Sequence, residues 1–243
     1  MSFRPALLLT VLLAGCATAD QVDQLTTRID ELEKKVVELE KAPARGGAPT
    51  AADSAKETAA NEVLKGVAEA MKAGDYTAAK TQLAAMEKDY GDTLAFRKAA
   101  KMKAELDVIG KDAPLTWNIE KWFQGQNDIA LDGTGTTLVV FWEVWCPHCQ
   151  REVPNLQAMY EKLHPQGLKV VGLTKITKSA TEQGVTDFLK EKNVTYPIAK
   201  EDGSLSEHFG VSGIPAAAVV KDGKVIWRGH PARLDEETLK QWL

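Results

Sequence analysis

Read as a pattern of apolar and polar positions, the chain changes period three times. Val22, Leu25, Ile29, Leu32, Val36 and Leu39 recur at alternating steps of three and four, an a/d repeat of about three heptads. Valine or isoleucine fills each a position and leucine each d position, the choice that favours a parallel two-stranded coil. Arg28 and Lys35 at g meet Glu33 and Glu40 at the following e positions of a parallel partner. A homodimer is therefore expected, with a trimer as the other reading. Over residues 42–55 the repeat breaks at Pro43, Gly46, Gly47 and Pro49, which predicts a flexible linker of roughly 20 Å reach. Three helical patterns follow, on Val63, Leu64, Val67 and Met71, on Tyr76, Ala79, Leu83, Met86 and Tyr90, and on Ala95, Ala99, Met102, Leu106 and Ile109. Gly74-Asp75 and Gly91-Asp92 separate them, giving a helical hairpin arm at 56–110. From Lys111 the runs shorten. Strands are expected at Leu115 to Ile119, Thr136 to Trp142, Leu168 to Leu173, Thr195 to Ala199, Ala216 to Val220 and Val225 to Trp227, with helices opening at Pro147 and Thr181. Alternating strands and helices predict an α/β domain over 111–243, built on a mixed sheet.

Composition narrows the function without naming it. The 243 residues carry 30 basic and 34 acidic side chains and are 44% hydrophobic, a globular balance that excludes collagenous and wholly disordered chains. A net charge of -4 supplies no basic stripe for phosphates, so nucleic acid is not an expected partner. At the N-terminus Arg4 precedes the apolar run Ala6 to Leu13, which falls short of the ~20 residues of a spanning helix and reads as a signal peptide over 1–15. The run ends in Leu13-Ala14-Gly15-Cys16, which resembles the bacterial lipobox. That resemblance implies a diacylglyceryl group on Cys16, with residues 16–41 as lipid anchor and coiled coil. It implies a protein held on a membrane of the bacterial cell envelope and facing the periplasm, where disulfides persist.

The other two cysteines stand as a pair in FWEVWCPHCQREVP, where a strand gives way to a helix. Cys146 sits just ahead of the helix, where unpaired N–H groups and the positive end of the helix dipole favour a thiolate. Cys149 lies one turn inside, placed to resolve a mixed disulfide formed by Cys146. Pro147 at the first helical position has no N–H to leave unpaired. His148 is read as tuning the thiolate by charge or hydrogen bonding, while His164, His208 and His230 carry no functional reading. One CxxC is too few ligands for zinc, so no metal is expected. A peroxiredoxin places Thr or Ser three residues before its reactive cysteine, where this chain has Glu143. A purely structural role is not expected, because so small a ring constrains little of the unfolded chain.

WCPHC with its helix, and GIPAAAVV some seventy residues later, resemble the thioredoxin superfamily. The resemblance implies a thioredoxin-like fold in which Pro215 is cis against the sulfurs, the backbone at Ile214 pairs with substrate, and Trp145 adds to the substrate face. It also implies a cofactor-free enzyme whose redox-active centre is the pair itself. The stretch from APLTW to the cysteines and the ending VVKDGKVIWRG are similar to TlpA-like, membrane-tethered thiol-disulfide oxidoreductases. In several of those proteins a glutamate matches Glu152, a candidate to relay a proton to Cys149, though an exposed charged face suits it nearly as well. Two departures stand out. The buried aspartate of thioredoxin is replaced by Val140, and the Pro147-His148 dipeptide is similar to that of the oxidase DsbA. The expected partners are protein thiols and disulfides and an upstream redox partner. Electron direction stays open between a TlpA-like reductase and an oxidase or isomerase, and a redox-regulated adaptor module is a third reading. The stretch GDYTAAKTQLAAMEKDYGDT resembles a tetratricopeptide hairpin, but one and a half repeats form no solenoid.

Overall fold

A computed structural model of the chain describes residues 50–114, 116–126 and 134–243, together with Arg28, Ile29, Glu31 and Lys34, which are helical. The signal peptide, Cys16, most of the heptad run and the linker up to residue 49 lie outside the described residues.

After Thr50 come three helices: α1 (Ala51–Lys72), α2 (Tyr76–Tyr90) and α3 (Leu94–Val108). The first begins inside the stretch expected to be linker. Thr50 Oγ1 accepts from the Asp53 N–H at 3.1 Å while Asp53 accepts from the Thr50 N–H at 2.9 Å, a reciprocal cap that outweighs the low-complexity composition. Asp75 caps α2 and Thr93 caps α3 through N–H groups three residues on. Glu57 of α1 accepts from the Leu94 and Ala95 N–H groups at 2.9 and 2.7 Å, tying α1 to the start of α3. Val67, Met71, Leu83, Met86 and Leu106 pack between the three helices.

The C-terminal part is a six-stranded mixed sheet: β1 (Ile119–Gln124), β2 (Thr136–Trp142), β3 (Lys169–Thr174), β4 (Ile198–Glu201), β5 (Ala216–Lys221) and β6 (Lys224–Gly229), in the order β1-β4-β3-β2-β5-β6. Parallel pairing joins β2, β3 and β4, and the outer pairs are antiparallel. The helices are α4 (Pro147–Leu163), α5 (Glu182–Glu191), α6 (Ser204–His208) and α7 (Glu236–Lys240). Leu138, Val140 and Trp142 of β2 face one core with Val153, Leu156 and Phe188, while Val139 and Phe141 face a second with Val108, Leu205 and Phe209. Because both faces are covered, β2 reads as one unbroken apolar run.

Two strands shift from their expected places. The first lies at Ile119–Gln124 and not at 115–119, because it is an edge strand with two register irregularities against β4 that break the alternating signal. Glu120 and Lys121 point outward into ion pairs with Lys200 and Glu182 at 2.9 and 2.6 Å. The fourth starts at Ile198, after Pro197. Its last residue, Glu201, is buried and accepts from the Gly203 N–H at 2.8 Å and from the Ser206 hydroxyl, so it holds the turn into α6.

The arm docks on the sheet through α3 and β6. The Gly110 N–H donates to the Val225 carbonyl at 2.8 Å, and Arg233 pairs with the buried Glu105 of α3 at 2.6 Å. At Gly210, in the left-handed region at φ 59°, a Cβ would lie 2.9 Å from Val108 Cγ2, so the approach of α3 requires glycine there.

Candidate active site

The site forms where buried β2 runs out. The Cys146 N–H donates to the Glu143 carbonyl at 3.1 Å, making a tight turn, and Gln150 Nε2 braces it by donating to the Val144 carbonyl at 2.7 Å. Cys146 is thereby the cap of α4, with extended backbone at φ -85° and ψ 115°. Its Sγ accepts the Cys149 N–H at 3.4 Å, the kind of bond that strengthens when sulfur is charged. Pro147 takes the first helical position. Both thiols are free; Cys149 is wholly buried and Cys146 is 5% exposed.

Across from them, the Ile214–Pro215 peptide bond is cis and leads into β5. The Ile214 carbonyl lies 3.9 Å from the Cys146 thiol. The structure thus brings Cys146, Pro147, Cys149, Ile214 and Pro215 together from elements almost seventy residues apart.

The two thiols differ in their surroundings. Burial, then the hydrogen bond with Cys146, and after these the charges of Cys146 and Glu143 push the Cys149 thiol well above the usual range, against one opposing bond from the Glu143 main chain. Glu143 is a buried carboxylate, 7% exposed. Its Oε2 accepts from Trp145 Nε1 at 2.7 Å and from the Thr177 hydroxyl. Trp145 is half-buried, and Lys178 Nζ sits 3.1 Å from its ring centroid, a cation on the π-face. Lys178 itself is in the left-handed region at φ 55°. Neither Thr177 nor Lys178 was visible in the motif, since the loop after β3 carries them in.

His148 and Glu152 lie on the outer turn of α4. His148 is exposed, and its Nδ1 is 2.6 Å from Arg151 Nη2; a guanidinium only donates, so Nδ1 accepts. Glu152 is half-buried, and its charge acts on His230, whose ring burial holds below the ordinary histidine range. The carboxylate acting on Cys149 is Glu143. Among the described residues no group of three or more His, Cys, Asp or Glu side chains is arranged to hold a metal ion.

Comparison with known proteins finds relatives over the C-terminal part of the chain. The AhpC/TSA family model matches residues 116–228. The chain is 31% identical over 122 residues to thiol-disulfide oxidoreductase ResA of Bacillus cereus, covering 49% of this chain and 67% of that protein. It belongs to the TlpA-like thiol-disulfide oxidoreductases of the thioredoxin superfamily. Sporulation thiol-disulfide oxidoreductase A of Bacillus subtilis is another relative, 28% identical over 124 residues, 50% of this chain and 74% of the relative. The crystal structure of StoA from Bacillus subtilis aligns over 44% of this chain and 81% of that one, with 28% identity and a TM-score of 0.39. Oxidoreductases of this family work through a redox-active cysteine pair without a cofactor, on protein thiols and disulfides.

Proposed function

We infer that Cys146 and Cys149 are the redox-active pair of a thiol-disulfide reductase anchored in the bacterial envelope. The observation that carries the reading is the asymmetry of the pair: Cys146 at the helix cap, edged toward Ile214, and Cys149 sealed behind it. Reduced Cys146 attacks one sulfur of a substrate disulfide, forming a Cys146–substrate bond and releasing the other sulfur as a thiolate that takes up a proton. Cys149 loses its proton and attacks Cys146 Sγ, and the second substrate sulfur leaves. Two electrons have then passed to the substrate, and the pair is a disulfide for an upstream redox partner to reduce. Ile214 and Pro215 offer backbone to an extended substrate segment, Trp145 walls the site, Pro147 sets the helix start, and His148 adjusts the equilibrium from outside.

The reducing direction is supported by the likeness to the ResA-type and other TlpA-like thiol-disulfide oxidoreductases. The lipobox-like Cys16 supports a lipid anchor facing the periplasm, and the heptads at 22–39 support a homodimer. A second reading, an oxidase or isomerase, is favoured by the Pro147-His148 dipeptide and by a homodimer. The reduction potential separates them: the reductase is expected near the roughly -270 mV of thioredoxin, and a value near the roughly -120 mV of DsbA overturns it.

A further inference from the structure

The segment that faces Cys146 is a loop. It runs from the end of α6 to the start of β5, and its Ile214 carbonyl lies 3.9 Å from the Cys146 thiol. At its start the Gly210 N–H donates to the Glu207 carbonyl at 2.9 Å and the Val211 N–H to the Ser206 carbonyl at 2.8 Å, and these bonds back to α6 stop at Val211. Ser212, Gly213, Ile214 and Pro215 follow outside any helix or strand. A loop that offers backbone to a substrate must stand in one place, because it binds only in the fraction of time it is competent.

Arg228 of β6 reaches both ends of that loop. Where the loop begins, its Nε donates to the Phe209 carbonyl at 2.8 Å and its Nη2 to the Gly210 carbonyl at 3.4 Å. Where the loop ends, its Nη1 donates to the Ala217 carbonyl at 3.3 Å, and also to the Gly229 carbonyl at 3.1 Å. Ala218 stands opposite Arg228 in the β5–β6 pair, and its single methyl group leaves room for the long side chain on that face. Arg228 is 4% exposed, and burying a cation is costly unless its donors are used. Here they are used on main-chain oxygens, while Glu105 is engaged by Arg233. Burial lowers the Arg228 pKa to about 10, so the guanidinium stays charged at neutral pH and keeps all its N–H donors. Helix α3 of the arm meets the loop at the same point: a Cβ on Gly210 would lie 2.9 Å from Val108 Cγ2 and 3.1 Å from the Ala104 carbonyl oxygen.

We propose that Arg228 is a positioning residue for substrate: it ties the two ends of the Phe209–Ala217 segment together and so sets the Ile214 backbone against Cys146. The proposal rests on the reading of Cys146 and Cys149 as the redox pair and of Ile214 and Pro215 as the substrate face. Arg228 touches neither sulfur and takes no part in the exchange itself. Its planar fork of donors suits the task, since one rigid group can bond carbonyls on both sides of the loop at once, which a lysine ammonium on a flexible stem does not reproduce. The consequence is selective. A substrate that pairs with the loop through its own backbone depends on Arg228, and a small disulfide without a peptide backbone depends on it far less.

The test follows single-turnover oxidation of the full-length reduced protein, either by insulin, whose disulfides lie in peptide chain, or by hydroxyethyl disulfide, which has no peptide backbone. In Arg228→Lys, which keeps the charge and loses the fork, the half-saturating insulin concentration is expected to rise about tenfold with the maximal rate within about threefold of wild type. That is the change expected when the competent loop falls to about a tenth of the population. The ratio of insulin to hydroxyethyl disulfide rate constants then falls about tenfold, and it falls further in Arg228→Met, which keeps the stem and loses every donor. Hydrogen exchange read by mass spectrometry is expected to quicken over residues 209–217 and not over β2. A ratio within about twofold of wild type in both variants overturns the proposal. So does an equal loss with both substrates, exchange that quickens over β2 as well, or a failure of both variants to fold, since each marks Arg228 as a support of the whole sheet. If wild type is oxidised by neither disulfide, the reading of the pair fails first, and that result is distinct from all of these.

Discussion

Arg233→Ala tests how the helical arm is held on the redox domain. Arg233 Nη2 pairs with Glu105 Oε2 at 2.6 Å, and the two side chains are 47% and 3% exposed. Removing the arginine strands a buried carboxylate, which costs about 3 to 5 kcal/mol where the pair is fully buried. Here water can enter the half-exposed space, and Arg228 keeps some positive charge near Glu105. The expected loss falls to about 2 kcal/mol, or about 4 to 8 °C in Tm for a body of this size. Glu105→Ala leaves instead an arginine that water solvates, so about 1 kcal/mol or less is expected. Urea unfolding followed by tryptophan fluorescence measures both, and reduction of a small disulfide at low urea checks that the redox site is intact. The reasoning is refuted if Glu105→Ala costs as much as Arg233→Ala, or if neither exceeds about 0.5 kcal/mol.

Three further outcomes follow from other parts of the chain. His148→Leu is expected to lower the reduction potential by about 30 mV, a tenfold change in the exchange equilibrium, and an unchanged potential returns His148 to a solvated surface role. Because burial holds His230 below its ordinary range, the folded protein binds fewer protons at that ring than the unfolded chain, and stability falls as pH drops below about 6.5. Chemical denaturation of His230→Gln between about pH 7 and pH 5 is expected to show a shallower loss than wild type. Deleting residues 16–41 is expected to leave a monomer by light scattering with its activity on small disulfides intact, and a persisting dimer moves the interface to the arm at 56–110.

Much of this architecture was legible because local signals and packing coincide. The unbroken apolar run Thr136–Trp142 and the cap-proline-cysteine start of α4 appear in the structure at their expected residues. The cis bond before Pro215 follows from the likeness to the thioredoxin superfamily and not from any local signal. What stayed hidden depends on contacts far apart in the chain. The first strand is set by pairing with β4 at an irregular edge, and α6 and α7, of five residues each, are fixed by the turn that Glu201 holds and by the Asp235 cap more than by periodicity. Glu143 was legible only as the residue that excludes a peroxiredoxin. Its burial shows only once Trp145 folds back and the loop after β3 brings Thr177 over it, 34 residues later.

The central claim is that Cys146 opens the exchange and Cys149 closes it, and single-cysteine variants test it most directly. With insulin as the disulfide substrate, Cys146→Ser is expected to have no turnover and to form no adduct. Cys149→Ser is expected to accumulate a covalent Cys146–substrate disulfide, visible on a non-reducing gel and released by a reductant. Sustained turnover by Cys146→Ser, or trapping through Cys149 in its place, contradicts the account.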